Sequence, residues 1–296
     1  MDVSIIIINY NTVLLLCNAI DSVLDKTKEI SYEIIVLDNH SSDNSAEIIP
    51  QKYGDRVVYI RLPENIGFGR ANNEAMKIAN GRNILLLNPD TILLNNAVKI
   101  LSDYLDANSS CGCCGGNLYD ESGKPVISFS RTFPSVWDEI NQLLLGIPYK
   151  FFFGRNTKFN NSGRNLQVAC VIGADMMIKQ QVLLKVGMFD PDFFMYHEEL
   201  ELGYRIKKAH YQIVSVPSAK IVHLEGKSHT DNLERLRKVL KARSLYLRKT
   251  HGVKSIFIAN CIFFVTSITR IIIFSLYGKK EKVHYWQFIL RNMNRL

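Results

Sequence analysis

The 296-residue chain lacks both common glycine-rich phosphate loops. No G-x-G-x-x-G follows the first apolar run at residues 3–8, which disfavours a dinucleotide fold of the dehydrogenase type. No G-x-x-x-x-G-K-[ST] occurs either, so P-loop chemistry is excluded and the phosphates of any nucleotide must be held in another way. The six cysteines form no paired C-x-x-C, and Cys111-Gly-Cys-Cys-Gly-Gly has no second half to complete a zinc site. It reads instead as small residues packed in a buried strand, with thiols reduced in a cytosolic setting. The opening MDVSIIIINYN has an acidic second residue and an apolar run too short for the core of a signal peptide, so the body is expected in the cytosol.

Acidic residues are scarce at one end. Residues 227–296 hold 15 Lys/Arg against 3 Asp/Glu, whereas residues 1–226 hold 21 against 25. The formal charge of +8 therefore averages a near-neutral body and a basic tail that suits an anionic surface. The tail is also apolar. Residues 256–277, IFIANCIFFVTSITRIIIFSLY, would span about 33 Å as a helix, enough to cross a bilayer. Arg270 argues against a simple crossing, because Arg at a helix centre costs roughly 2.5–3.5 kcal/mol on insertion scales. At 100° per residue Asn260, Ser267 and Arg270 share one broad side, which fits a helix lying in the interface. The alternative is a core helix with one snorkelling Arg. Lys279, Lys280, Lys282 and Trp286 suit lipid headgroups. Continuous Ile/Phe content fits a membrane better than nucleic acid.

What is present is a βαβα rhythm. Apolar runs at 3–8, 33–37, 57–61 and 84–87 alternate with helical spacing at 14–24, 42–49, 69–79 and 95–105. This predicts an α/β fold with an open, mainly parallel sheet and helices on both faces. Ligands of such sheets sit beyond the carboxyl ends of the strands. Those ends carry Asn9-Tyr10-Asn11, Asp38-Asn39-His40-Ser41-Ser42-Asp43, Glu64-Asn65-Ile66-Gly67-Phe68-Gly69-Arg70 and Asn88-Pro89-Asp90. Each alone is ordinary turn chemistry. Four on one sheet edge point to a shared ligand site, with Asp90 holding a divalent cation that in turn holds a diphosphate.

The second half is less regular. Residues 116–130 read as a hairpin turning at Asp120-Glu121-Ser122-Gly123. Residues 131–166, with Arg131, Trp137, Phe151-Phe152-Phe153 and Arg164, read as a long covering loop. A strand at 168–178 is interrupted by Gly173-Ala174-Asp175, and another at 212–217 leads to His223. Between them Glu198, Glu199 and Glu201 open a helix to about Ala209. Glu198 and Glu201 share a face and Glu199 points about 100° away, so three carboxylates cannot serve one site. Glu201 is expected to pair with Arg205 at i,i+4. Glu199, near Phe193, Phe194 and Tyr196, is the candidate general base. Neutral His223 with a carboxylate and phosphate oxygens suits Mn²⁺ more naturally than Mg²⁺, although sequence spacing alone does not bring it to Asp90.

The ordered series VSIIIINYN, VLDNHSSDNSAE, ENIGFGRANNEAM, LLLNPDT, GADMMIKQQVLLKVGMFDPDFFMYHEELELGYRI and IVHLEGKS resembles the family 2 glycosyltransferases, in particular a rhamnosyltransferase-like branch that builds bacterial surface polysaccharides. The resemblance covers about residues 3–250. It implies a GT-A fold and inverting transfer from a nucleotide-diphosphate sugar, with rhamnose from dTDP-rhamnose the leading donor and a UDP-hexose the alternative. The acceptor it implies is a hydroxyl of a lipid-linked saccharide in O-antigen, capsule or cell-wall synthesis, reached at the cytoplasmic face of the membrane by a peripheral, monotopic or spanning tail. It places Asp38 at the base with Tyr10 and Asn11 lining that pocket, and Asn65, Gly67, Arg70 and Asn88 near the nucleotide. It makes Asp90 and His223 ligands of Mn²⁺ or Mg²⁺, and Glu199 the base. Asp175, Glu198, Trp137 and Arg131 are further substrate-pocket candidates. Two departures stand out. Asn88 replaces the first Asp of the general acidic motif, and the base is Glu where Asp is usual. The expected organisation is a catalytic domain over 1–228, with a nucleotide half to about 115 and an acceptor half from 116, followed by a helical membrane-association region over 229–296. A sugar nucleotidyltransferase would need a Gly-rich basic loop where Asn9-Tyr10-Asn11-Thr12 stands, and a non-catalytic scaffold would not need Asp90, Glu199 and His223.

Overall fold

The computed structural model describes residues 1–224 and 232–293. The expected boundary at 228/229 and the Glu225–Ser228 end of the last motif lie outside the described residues. The chain divides into two units. The first takes Met1–Arg131 and Arg155–Thr230, and the second takes Thr132–Gly154 and Asp231–Leu296.

In the first unit, β1 (Val3–Asn9), β2 (Tyr32–Asp38), β3 (Val58–Arg61) and β4 (Asn83–Leu87) are parallel neighbours in the order β3-β2-β1-β4. The continuous apolar runs of β1 and β4 follow from burial on both faces, for every residue of each is buried, while the edge strand β3 stays partly exposed. Helices α1 (Val13–Lys26), α2 (Ser45–Tyr53), α3 (Phe68–Ile78) and α4 (Ala97–Ala107) fall where the 3.6-residue spacing predicts them. The register aligns the strand ends: Asn9 lies opposite Asp38, and Asp38 opposite Arg61. The polar termini of three strands thus meet on one edge.

Later strands make the sheet mixed. After the short β5 (Thr91–Leu93) come β6 (Cys111–Tyr119) and β7 (Phe129–Ser130), then β8 (Leu166–Val168), β9 (Cys170–Val171), β10 (Asp175–Lys179) and β11 (Gln212–His223). Strand β10 inserts antiparallel between β4 and β6, β11 runs parallel to β6, and β5 closes the edge antiparallel to β11. Two short strands, β7 and β9, form a separate ladder. The cysteine-rich run is the buried β6, as expected. Burial pushes the Cys111 thiol up to about 11 and raises those of Cys113 and Cys114 well above the ordinary range, so all three stay protonated and inert. The small residues have a geometric purpose. A side chain on Gly116 would meet the Ala219 carbonyl at 2.6 Å, and one on Gly115 would meet Val171 at 3.0 Å. The expected hairpin turn forms through Asp120 and ends in a bridge between Tyr119 and Pro125.

The covering loop expected over 131–166 takes a different form. Its first part folds as α5 (Val136–Leu143) and α6 (Ile147–Phe153) within the second unit. Back in the first unit, α7 (Gln180–Val186) and α8 (Glu198–Lys208) complete the helices. The second unit is finished by α9 (Asn232–Leu276), broken at Gly252 with φ 78°, and α10 (Lys280–Asn292). Gly252 has the left-handed geometry that glycine adopts without strain. Leu236, Leu240, Phe263 and Ile289 make this unit's own small core. The ion pair of Glu139 on α5 with Arg243 on α9 is buried beside it, at 2.5 Å.

Candidate functional site

Side chains of the first unit gather at the carboxyl edge of β1, β2 and β4. Asp38 is wholly buried; one carboxylate oxygen accepts from the Ser41 amide at 2.8 Å and the other from the Tyr59 hydroxyl. Burial and that carboxylate raise the Tyr59 phenol well above its ordinary range. Asn9 donates to the hydroxyls of Ser41 and Ser45, at 3.0 and 2.8 Å. Tyr10 and Asn11 stand exposed at the rim, and Asn11 holds Ser42 through its side-chain carbonyl at 2.6 Å. Asp38 is thus buried at this strand end while Tyr10 and Asn11 stand exposed beside it.

The loop before α3 is tied to the same edge by Asn39. Its amide donates to Asn65 Oδ1 at 3.0 Å, and its carbonyl accepts from the Ile66 amide at 3.0 Å. Gly67 has φ 88°, and a Cβ there would lie 2.4 Å from the Phe194 carbonyl. Only glycine fits, because the Phe68 amide bonds that same carbonyl at 2.8 Å. Arg70 is exposed and donates to the Pro191 carbonyl at 2.7 Å, tying α3 to the loop before α8.

The third cluster is assembled by strand pairing. Strand β11 puts His223 opposite Thr91 of β5, next in sequence to Asp90. His223 Nε2 then lies 3.4 Å from Asp90 Oδ1 and 3.4 Å from Asn88 Nδ2. Asp90 and His223 are both buried, and the Leu224 amide bonds the Asp90 carbonyl at 2.9 Å. Asp175 begins β10 opposite Leu87, the last residue of β4, and the Asn88 amide bonds the Ala174 carbonyl at 3.0 Å. Its carboxylate accepts from the Gly116 amide at 2.5 Å, an approach that the bare β6 backbone permits. Burial pushes Asp175 up to about 7, against the opposing effects of the Gly116 amide hydrogen bond and then of nearby His223.

The acidic helix separates its carboxylates as helical geometry predicts. Glu201 is held by Arg205 at 2.7 Å, the expected i,i+4 pair. Glu198 is buried against the start of α3, within reach of a Cβ on Gly69. Glu199 turns the other way: its Cβ and Cγ would lie 3.7 and 3.9 Å from a Cβ on Gly173, two residues before Asp175. Burial raises the pKa of both, and for Glu198 the neighbouring Glu199 adds to the rise. The two residues before this helix, Tyr196 and His197, have φ of 71° and 66°. Consecutive left-handed non-glycine residues cost of order 1–3 kcal/mol each, and here they set the direction in which α8 starts. Asn11 and His40, with φ of 56° and 67°, lie in the strand-end loops of the same edge.

Trp137 belongs to the second unit and is exposed on α5. Arg131 ends the first segment of the first unit and donates to the Gln167 carbonyl at 3.0 Å. Sequence reasoning did not single out Asn9, Asn39 and Tyr59, which help hold the loops in place, although Asn9 and Asn39 sat in the polar strand ends; Phe194, named only as a neighbour of Glu199, also accepts the Phe68 amide.

Among the described residues no group of three His, Cys, Asp or Glu is placed to hold a metal. A buried carboxylate and a buried imidazole facing each other at 3.4 Å nevertheless form a two-ligand donor set. That set fits Mn²⁺ or Mg²⁺, which fill their remaining positions with phosphate oxygens and water.

Residues 4–187 match the sequence model described as Glycosyl transferase family 2. The chain belongs to this family. It is a glycosyltransferase. Over 221 residues it is 25% identical to an N-acetylglucosaminyl-diphospho-decaprenol L-rhamnosyltransferase of Mycobacterium tuberculosis, a match covering 69% of this chain and 70% of that one. Over 214 residues it is 28% identical to rhamnosyltransferase WbbL of Escherichia coli K12, covering 68% and 75%. Among solved structures, a mannosyltransferase from Pyrobaculum calidifontis in complex with GDP-Man and Mn²⁺ superposes with TM-score 0.59 at 14% identity, over 90% of this chain and 70% of that one. GalNAc-T7 with UDP, GalNAc and Mn²⁺ gives TM-score 0.59 at 16% identity over 84% of this chain, which spans about half, 48%, of that structure. At these identities the likeness shows the fold, which is GT-A.

Proposed function

We propose that this glycosyltransferase moves a sugar from a nucleotide-diphosphate donor to a hydroxyl of a lipid-linked saccharide, with inversion, in the synthesis of a surface polysaccharide. The observation that carries the reading is the convergence, on one sheet edge of a family 2 chain, of Asp90, His223 and Asn88 with the desolvated Glu199 next to Gly173. Similarity to two rhamnosyltransferases favours rhamnose from dTDP-rhamnose as the donor sugar. The decaprenol diphosphate in the name of one of them favours a lipid-linked acceptor. In this proposal the reaction takes place at the cytoplasmic face of the membrane.

In this reading the catalytic unit comprises the Asp38 pocket, with Tyr10 and Asn11 at its mouth, for the base. Asn65, Gly67, Arg70 and Asn88 lie toward the sugar nucleotide. Asp90 and His223 would hold Mn²⁺ or Mg²⁺, which when bound supplies positive charge to the leaving diphosphate. Glu199 takes the proton of the acceptor hydroxyl, whose oxygen attacks the anomeric carbon from the face opposite the diphosphate. The new glycosidic bond forms as the bond to the diphosphate breaks, and its electron pair leaves with the nucleoside diphosphate. Burial makes Glu199 a stronger base than an exposed glutamate, and a base of this kind contributes typically 10²–10⁴-fold.

The test is a panel of nucleotide-diphosphate sugars with the purified chain and Mn²⁺ or Mg²⁺, scored for released nucleoside diphosphate. Turnover of one donor, abolished by chelator, by Asp90→Ala and by His223→Ala, is the expected result. Undiminished turnover in chelator would remove the metal role of Asp90 and His223. Donor binding without turnover, even with lipid-linked acceptors supplied, would overturn the catalytic reading in favour of a scaffold.

A further inference from the structure

The second half of α9 is amphipathic in the inverted sense. Asn260, Thr266, Ser267 and Arg270 turn inward, buried or half-buried. Phe257, Cys261, Phe264, Ile268, Ile272 and Leu276 are exposed, Leu276 at 82%. At 100° per residue these two sets centre on opposite sides of the helix. A helix facing water shows the reverse arrangement.

The inner polar face is satisfied within the unit. Asn260 Oδ1 accepts from Arg243 at 2.9 Å, and the hydroxyls of Thr266 and Ser267 donate to the carbonyls of Ile262 and Phe263. Arg270 donates to the Gln142 and Leu143 carbonyls at the end of α5. This explains an arginine within an apolar run: it caps a neighbouring helix. The same contact sets the exit of α5 beside α9. From there the chain runs through exposed Leu144, Leu145 and Ile147 into α6, which buries no side chain and holds Phe151 at 84% and Phe152 at 74% exposure.

Charge brackets the apolar surface. Exposed Arg248, Lys249 and Lys254 precede it, and exposed Lys279, Lys280 and Lys282 come after it. We infer that this unit is a monotopic anchor, in which the outward face of α9 and the α5–α6 tip enter one leaflet of an anionic bilayer together. The inference rests on the lipid-linked acceptor proposed above, and adds to it the inserting segment 144–153 and an in-plane α9.

The return of α10 argues against crossing. It packs back along α9, with Trp286 against Phe263 at 6.3 Å between ring centroids and the Lys282 ammonium 5.0 Å above the Phe274 ring. Were α9 to span, Lys280, Glu281, Lys282 and Arg291 would be carried alongside it toward the hydrocarbon, an expensive place for charge. Lying in the interface, α9 keeps α10 and α5 on the wet side and its apolar face in lipid. The basic rim then meets anionic headgroups.

The experiment uses the full chain with an environment-sensitive fluorophore on Cys261, the exposed cysteine, in a Cys17→Ala background. Leu145→Cys and Leu276→Cys, each with Cys261→Ser added, carry it elsewhere. Vesicles of phosphatidylglycerol with phosphatidylcholine should blue-shift all three, with headgroup-level quenchers most effective at each. Pure phosphatidylcholine should bind at least tenfold more weakly. Phe151→Glu with Phe152→Glu should weaken vesicle binding at least tenfold while leaving the melting temperature and donor turnover in detergent unchanged.

Depths at Cys261 and Leu276 differing by most of a bilayer would overturn the in-plane geometry. Equal binding to neutral vesicles would overturn the electrostatic half. Full binding by the double variant would remove the α5–α6 tip. A blue shift without vesicles, in a protein dimeric by light scattering, would assign the face to a second copy instead. Loss of donor turnover with vesicle binding intact would defeat the catalytic reading and leave this one standing.

Discussion

Replacing Glu199 by Gln removes a proton acceptor and almost nothing else. The side chain is half-buried, its Cβ and Cγ rest over Gly173, and Gln has the same shape, so packing and the N-terminal geometry of α8 should survive. On the proposed mechanism, what is lost is the general base. That contribution is typically 10²–10⁴-fold, which at 1.36 kcal/mol per decade is about 2.7–5.4 kcal/mol of transition-state stabilisation. The loss should appear in kcat for acceptor-dependent transfer, with the KM for the donor within about threefold of the parent, because a base acting on the acceptor makes no uniform contact with the donor. Glu198→Gln is the built-in control. It lies one position away, in the same helical turn, but faces Gly69 of α3. Initial rates with a saturating donor and a saturating acceptor decide the matter. Transfer by Glu199→Gln within threefold of the parent, or an equal loss in Glu198→Gln, would refute the assignment. The pH profile of the parent adds an independent check. Burial raises Glu199, and a base works only when deprotonated, so kcat should fall on its acid limb at a pH above the ordinary glutamate value of about 4.3.

Three further outcomes rest on named contacts. Glu198 is buried with Oε2 lacking a hydrogen-bond partner among the described residues, and its pKa is raised by burial and then by Glu199. The fold therefore favours its protonated form; that stability is fully present below the unfolded pKa and is lost as pH rises through the folded one. Glu198→Gln should flatten the decline of thermal stability with rising pH, and an unchanged slope would show that the group is not held protonated. Gly67→Ala forces a Cβ to 2.4 Å from the Phe194 carbonyl at φ 88°, so the sheet-bearing unit should lose about 1–3 kcal/mol in denaturant unfolding; a loss under about 0.5 kcal/mol would mean that the loop moves freely aside. Glu139→Ala leaves the buried Arg243 guanidinium without its carboxylate and should destabilise the second unit by about 3–5 kcal/mol, read by hydrogen exchange along α9, whereas unchanged protection there would show that the ion pair is dispensable.

Much of the first unit was legible because burial on both faces of a parallel sheet writes itself as apolar runs. The four runs at 3–8, 33–37, 57–61 and 84–87 became β1 to β4, and their polar ends did meet on one edge. The mixed half was harder. Strand β10 lies between β4 and β6, although β5 and β6 precede it in sequence, and no local pattern announces such an insertion. His223 illustrates the point. Its approach to Asp90 depends on β11 pairing antiparallel with β5, a register fixed by tertiary packing and invisible to spacing. The supporting residues were missed for a related reason. Asn39 works through three hydrogen bonds to a loop 26 to 28 residues away, and in the sequence it is one more Asn at the end of a strand.

The second unit shows where periodicity misleads when the solvent is unknown. Residues 147–153 contain three consecutive phenylalanines and bury none of them: a rule equating apolar with interior would bury them, and the mixed aromatic and basic composition reads as loop, while the chain folds the segment as α6. Arg270 was weighed in the sequence as a cost of insertion, on the assumption that an arginine must reach out of an apolar helix toward water. In the fold it reaches inward to the last carbonyls of α5, where a cation is favoured at a helix C-terminus. The arc holding Asn260, Ser267 and Arg270 is thus the packed side, and the apolar arc is the outer one. A helical wheel gives two faces without saying which is inside. The contacts of α5 and α10 make that choice here, and they turn a charge weighed only as a cost of crossing into a group that ties α9 to α5.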